Sequence, residues 1–344
     1  MKTESIEEKI ERLHSDGVVD MHFDLPLGLQ WKGRDPGVMA KEFLPDFKAG
    51  DIAVLGVATY VEDEYLDKAA NVALGQVARL YAGVAASNEF AICKTWKEIQ
   101  RARENHRIAL LLTMEGAEPL GTDLDLLRIF FELGLRAISL THARQNAAAS
   151  GGIFAATGSP PTGLTEFGRE LVRECESLGI IIDLAHINPA GFDEIFCLTT
   201  KPLIVSHTNA RRYYDVERNI SDEQIKMIGE RRGVIGINAI LVSAEKSKAT
   251  LDHYIDHIEH VVDLIGIDCV GIGFDFCEFL WHAMSVAQRE ELEAKLTTPH
   301  FLPDLTNHSH SRNLTRRLLE RGWKDYAIEK LLRGNWLRVF EELL

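Results

Sequence analysis

A chain of 344 residues with 46% apolar side chains can bury a large core, as one large α/β barrel or two ordinary domains. Its formal charge of −14 argues against a nucleic-acid partner, because phosphate binding needs a basic stripe. No run of about 18 apolar residues occurs, which argues against a membrane span, and the acidic, helix-like opening MKTESIEEKIERLHSDG does not read as a secretory signal. Cys93, Cys175, Cys197, Cys269 and Cys277 are widely spaced and form no CxxC pair, which suits a reducing cytoplasm.

After the opening helix, residues 18–24 (VVDMHFD) read as a short strand ending in His-x-Asp. Alternation puts His22 and Asp24 on one face, about 7 Å apart, where an imidazole and a carboxylate can grip one metal ion. The polar, Gly-rich stretch 30–50 reads as a long loop. Residues 52–61 (IAVLGVATYV) form a second strand buried on both faces, 67–90 an Ala-rich helix and 96–105 a short one. The third strand, 108–114, ends at Glu115. A helix over 123–133, closed by Gly134, leads to the fourth strand, 135–141, which ends at His142. A loop rich in Gly, Ser, Ala and Pro covers 147–163. The next helix, 165–178, has Thr165 as N-cap and Gly179 just past its end. The fifth strand, 180–184, ends at His186. After a short helix near 189–198, the sixth strand, 202–205, ends at Ser206-His207. Ser221 caps a helix to 231, the seventh strand spans 233–237, and a helix covers 251–265. The eighth strand, 269–273, ends at Asp275. A long polar loop to about residue 312 precedes closing helices 313–321 and 324–343, the second interrupted at Gly334.

Eight short apolar strands alternating with helices predict an α/β fold, a TIM (β/α)8 barrel in a single domain over 1–344. A doubly wound open sheet is the alternative. No GxGxxG follows the first strand, however, and polar residues end too many strands for one switch-point crevice.

The strand-ending residues His22, Asp24, Glu115, His142, His186, His207 and Asp275 would converge on the barrel mouth, where such enzymes place their chemistry. Neutral imidazoles with carboxylates suit Zn2+, and Mn2+ or Co2+ less well. Four ligands and a bridging carboxylate suggest two ions about 3.5–4 Å apart, whose shared water becomes the nucleophile. A non-ligand Asp can relay its proton, and a non-ligand His or Arg can steady the oxyanion. His253, His257 and His260 share a helix face away from the strand ends and read as surface residues.

These stretches carry a resemblance. DMHFDLP (20–26), MEGAEPLG (114–121), GLRAISLTH (134–142), GLTEFGRELVRECESLGIIIDLAH (163–186), PLIVSH (202–207), ERNISDE (217–223), VGIGFDF (270–276) and RGNWLRVF (333–340) span nearly the whole chain. Their order is that of the membrane (renal) dipeptidase family, the M19 metallopeptidases of the amidohydrolase superfamily, which the chain resembles in its soluble bacterial form. The resemblance implies a binuclear zinc dipeptidase. His22 and Asp24 would hold one ion and His186 and His207 the other, with Glu115 bridging. Asp275 would be the general base and acid, and His142 would bind the substrate's carbonyl oxygen. Arg218 would bind the substrate's C-terminal carboxylate; the residues alone read it as a surface arginine. A homodimer is also suggested.

Two places depart from the family. Where it commonly continues as Asp-Phe-Asp-Gly, this chain has Asp275-Phe276-Cys277-Glu278, which alters the loop that shapes the pocket. Behind Asn238, a further substrate-binding candidate, Ala239-Ile240 replaces an aromatic pair, so one carboxylate contact is expected to be lost. The expected activity is hydrolysis of dipeptides, L-Xaa-D-Xaa among them. The first alternative is hydrolysis of an N-acyl amino acid, lactam or lactone on the same metals; the second is a barrel that binds without turnover. RGNWLRVF reads as structural, with Trp336, Val339 and Phe340 packing a closing helix onto the barrel.

Overall fold

The computed structural model describes residues 4–151, 162–295 and 299–344. Its strands are β1 (Val18–Phe23), β2 (Ile52–Tyr60), β3 (Phe90–Ile92), β4 (Ile108–Glu115), β5 (Leu135–Ser139), β6 (Ile181–Asp183), β7 (Ile204–Thr208), β8 (Val234–Ile237) and β9 (Val270–Ile272). All pair in parallel in the order β2-β1-β9-β8-β7-β6-β5-β4-β3, and β2 also pairs with β4, from Val54 opposite Ala109 to Tyr60 opposite Glu115. That pairing closes the sheet into the expected eight-stranded TIM barrel. β3 stands outside the ring. It pairs with Ile108, Ala109 and Leu110 at the start of β4, and β5 takes the same edge from Leu112 onward.

The expected caps are present. Thr165 accepts from the Gly168 amide, Gly179 closes that helix at φ +76°, and Ser221 forms a reciprocal capping box with Gln224. Elsewhere the structure corrects the sequence reading. The helix expected to reach residue 90 ends at Ala85, since Phe90-Ala91-Ile92 finds the free edge of β4. The stretch read as a loop from 30 to 50 holds helical segments Met39–Phe43 and Leu44–Ala49. Met39, Phe43 and Phe47, four residues apart, supply a buried stripe that the surrounding polar residues obscured. The long polar loop before 312 contains helices Glu278–Ala283 and Val286–Lys295. The last helical stretch divides into Asp325–Glu329, a wide π-type turn Lys330–Gly334, and Asn335–Leu343. Of the 147–163 loop, residues 152–161 lie outside the described residues. Among the described residues no helix is long and apolar enough to cross a membrane.

Two apolar clusters hold the fold. The larger fills the layer between strands and helices. The smaller fills the barrel's lower interior, where Val19, Met21, Val54, Leu111, Ile181, Ile204 and Val234 meet Trp336, Val339 and Phe340 of the final helix. That helix plugs the barrel floor, as the RGNWLRVF reading expected. The Trp336 indole N–H donates to the Ile272 carbonyl at 2.9 Å. Only glycine fits at 271, where a Cβ would lie 2.4 Å from the indole nitrogen. With the floor sealed by side chains, polar chemistry is confined to the opposite mouth.

Candidate active site

The strands deliver their end residues to one place. His22 Nε2 lies 3.9 Å from Asp24 Oδ1, 3.7 Å from Glu115 Oε1 and 3.8 Å from Asp275 Oδ1. Across the mouth, the Nε2 atoms of His186 and His207 are 2.9 Å apart, and they sit 3.0 and 3.3 Å from the same Glu115 oxygen. The His22 and His207 rings stack at 3.6 Å, and the His142 ring lies 4.3 Å from that of His186. Glu115 is therefore the hub, with three imidazoles around one of its oxygens. His186 and Asp275 both hold left-handed backbone, at φ +64° and +57°. Such conformations concentrate where tertiary structure over-determines a functional residue.

Burial dominates the electrostatics. It pushes Asp24 up to about 7 and Asp275 up to about 8, the latter against the pull of Arg218. Glu115 is held well above the usual carboxylate range by burial and then by Asp24 and Asp275. The histidines move the other way: burial, assisted by Arg218, takes His22 down to about 3. Burial likewise holds His142, His186 and His207 well below the ordinary imidazole range. Carboxylates pushed up and imidazoles pushed down at one spot mark a desolvated pocket in which every charged form is disfavoured, the kind of environment that functional sites concentrate.

The donor set meets the test for a metal. His22 Nε2 and Asp24 Oδ1 are buried without a hydrogen-bond partner, an expensive state that a cation would relieve. His22, Asp24 and Glu115 offer ligand atoms within 4.8 Å of one another, as do Glu115, His142 and His186, and also His22, His207 and Asp275. The His207 Nδ1 is held by the Ser206 hydroxyl at 2.7 Å, which orients Nε2 toward Glu115. The sequence profile described as Membrane dipeptidase (Peptidase family M19) matches residues 7–343.

The chain belongs to this membrane dipeptidase family. It is 30% identical over 250 residues to the dipeptidase tcpJ of Claviceps purpurea (strain 20.1), a match covering 72% of this chain and 53% of that protein. It is 33% identical over 177 residues to the uncharacterized dipeptidase C965.12 of Schizosaccharomyces pombe, covering 51% of this chain and 42% of that protein. The matched stretches thus span only about half of these relatives' lengths. Among solved structures, it resembles a Rhodobacter sphaeroides metallo peptidase liganded with a phosphinate mimic of L-Ala-D-Ala. There the identity is 28% and the TM-score 0.82, over 95% of this chain and 99% of that one.

Other placements in this membrane dipeptidase family member refine the sequence reading. Arg218, read from the residues alone as a surface arginine, is buried at 4% exposure, and its Nη2 lies 3.9 Å from Asp275 Oδ2. Asn238 is also buried. Its oxygen accepts from Asn209 Nδ2 at 2.6 Å and from the Ile240 amide at 3.2 Å, while its own Nδ2 has no partner. His257, expected at the surface, is fully buried, accepting from the Ala210 amide at 3.0 Å and donating to the Val242 carbonyl at 2.9 Å. It staples the helix Leu251–Ile265 to the loops after β7 and β8, so it is structural.

The second strand end carried no candidate in sequence. Tyr60 fills that gap, its ring 4.6 Å from His142, and Arg144 Nη1 donates to its hydroxyl at 3.2 Å. Arg144 is fixed in turn by Glu118 at 2.9 Å. The available signal was positional: Tyr60 closes an apolar strand as the other candidates close theirs.

Proposed function

We propose that this chain is a metal-dependent dipeptidase that binds two zinc ions, with Glu115 shared between them. His22 and Asp24 hold one ion, and His186 and His207 hold the other. The observation that carries this reading is the crowding of three buried imidazoles around a single Glu115 oxygen. When bound, the metal pair supplies the Lewis acidity that brings a water toward pKa ~7 and makes it nucleophilic.

The chain's own groups do the rest. Arg218, whose Nη1 and Nη2 are buried without a hydrogen-bond partner, grips the free carboxylate of the substrate's C-terminal residue. That grip sets the scissile carbonyl toward His142, a neutral imidazole able to donate one N–H to the developing oxyanion. Asp275 takes the proton released at attack and returns it to the leaving amine. Substrates are dipeptides, L-Xaa-D-Xaa among them, as the phosphinate ligand of the Rhodobacter sphaeroides neighbour supports. Asn238 contributes through its Nδ2, which has no hydrogen-bond partner. We read 1–344 as one hydrolase domain acting as a homodimer. The free state of all five cysteines fits a cytoplasmic compartment.

The second reading, hydrolysis of an N-acyl amino acid, lactam or lactone at the same centre, is favoured by Cys277 and Glu278 beside Asp275. Elemental analysis of protein purified without added metal, paired with an L,L and L,D dipeptide screen, separates the readings. Two zinc per chain with dipeptide cleavage is the expected result. Two zinc with turnover only of acylated amino acids or lactones selects the second reading. Absence of metal and turnover removes both.

A further inference from the structure

Two buried carboxylates lie inside apolar strands and outside the clustered donors: Asp20 in β1, at 0% exposure, and Asp183 in β6, at 7%. They make the same pair of contacts. Asp20 Oδ1 accepts from the His22 amide at 3.2 Å and, across to the next strand, from the Phe274 amide at 2.9 Å. Asp183 Oδ1 accepts from the Ala185 amide at 3.0 Å and, across to the next strand, from the Ser206 amide at 2.8 Å. Each oxygen thus joins the amide two residues further along its own chain to an amide on, or just past the end of, the neighbouring strand. The amide reached across the gap immediately precedes a site residue, Asp275 in one case and His207 in the other.

These contacts fall where the barrel ladder is thinnest. β1 and β9 pair only at Asp20 opposite Ile272, and β6 and β7 only at Asp183 opposite Ile204. Every other neighbouring pair in the ring has at least three registered positions. At both gaps the aspartate is itself the paired residue. A carboxylate oxygen there replaces the main-chain carbonyl that a continuing parallel ladder would supply.

The in–out alternation slips at the same points. Val19 and Met21 face the barrel interior and Phe23 the outer layer, yet His22, next to Met21, faces Glu115 in the mouth. Ile204 faces the interior, and so does His207, three residues on. Register irregularities are present between Asp20 and Phe23 and between Val205 and Thr208. A one-residue slip moves a side chain to the other face of a strand. In regular alternation both histidines would point out among the helices.

The geometry points to Asp20 and Asp183 as paired positioning residues that brace the two strand gaps, turning His22 and His207 into the mouth and fixing the backbone on which His186 and Asp275 stand. Asp20 is further fixed by His308, whose Nε2 meets its other oxygen at 2.8 Å and whose ring packs against Phe23, Phe47 and Phe276. The sequence holds a trace of the device: a single Asp within each apolar run, VVDMHF and IIIDL. The inference rests on the metal-site reading above for its consequence, but not for its hydrogen bonds.

The test compares Asp20→Ala, Asp20→Asn, Asp183→Ala and Asp183→Asn. Asparagine keeps one oxygen able to accept both amides; alanine keeps none. Amide hydrogen exchange on metal-free protein should show lost protection at His22 and Phe274 in Asp20→Ala, and at Ala185 and Ser206 in Asp183→Ala, with protection kept in both asparagine variants. Under graded chelator, the alanine variants should release zinc at about 10- to 100-fold lower chelator strength, the usual effect of removing a group that orients ligands. The asparagine variants should track wild type. Asn335→Ala, which removes bonds to the Ile267 and Val270 carbonyls near the barrel floor, sets the level expected from lost stability alone.

Unchanged exchange at the four amides in the alanine variants would overturn the proposal. So would lost protection with zinc retention no worse than in Asn335→Ala. Should an alanine variant fail to fold, its asparagine partner decides: kept protection with kept zinc supports the bracing role, and kept protection with lost zinc overturns it. A wild-type chain that binds no zinc would defeat the site reading, and the exchange arm would still decide whether the braces exist.

Discussion

The two ends of this barrel are built from the same strands and solve opposite problems. At the floor, Met21, Leu111, Ile204 and Val234 close on Trp336 and Phe340, and the polar groups of the closing helix find partners there. The indole N–H has the Ile272 carbonyl, and the Asn335 amide has two carbonyls. At the mouth, a few residues along the same strands, three carboxylates, four imidazoles and a guanidinium are buried or half-buried, and several of their polar atoms have no hydrogen-bond partner. The floor is stable as it stands. The mouth is unfavourable until a ligand arrives, so stability resides at one end and binding at the other.

Variants can test that division, beginning with the largest effect. Asp275→Asn should lower kcat by about 10²–10⁴-fold, the usual contribution of a positioned acid/base, while metal content is unchanged. Wild-type turnover in that variant would remove the assigned role. At the floor, Trp336→Ala should destabilise the fold by about 3–5 kcal/mol in denaturant unfolding, through the cavity left under the barrel. Folded molecules of that variant should keep their metal and their KM; loss of either would blur the contrast between the ends.

Chelation should act at the mouth alone. Metal-free protein should unfold at lower temperature, and restoring free zinc to 100 times its Kd should return about 2.7 kcal/mol per site. A calorimetric scan indifferent to chelator would mean that the crowded donors are self-sufficient. A smaller effect is expected from Arg218→Met, which should raise KM for dipeptides by roughly 10- to 100-fold, the worth of a charged hydrogen bond at about 1.5–3 kcal/mol. Zinc content in that variant should stay as in wild type. A rise in KM of similar size for substrates lacking a free carboxylate would show that Arg218 acts through Asp275 instead.

The barrel was legible in sequence because the core strands are largely apolar runs and most are cut off by a polar residue near the same point. Runs such as IALLLTM before Glu115 and LRAISLT before His142 show strand, direction and mouth together. Helix ends at Thr165, Gly179 and Ser221 were equally local, since a cap depends on residues three or four apart. Local pattern failed where a partner in space made the decision. Phe90–Ile92 is a strand because β4 offers an edge, and Met39–Phe43 is helical because its sparse apolar residues find the core. His257 is buried because two loops close over it.

The same line divides the site. The sequence by itself determined which residues stand at the strand ends, and so which chemical groups the mouth contains. Tertiary structure alone decided that three imidazoles crowd one Glu115 oxygen, that Arg218 is buried beside Asp275, and that Tyr60 and Arg144 line the rim at His142. It alone also placed Asp20 and Asp183 across the two gaps where the ladder breaks. Strand period fixes the facing of a side chain only while the period holds. At His22 and His207 it slips by one residue, and that slip is a property of two strands and the carboxylate between them.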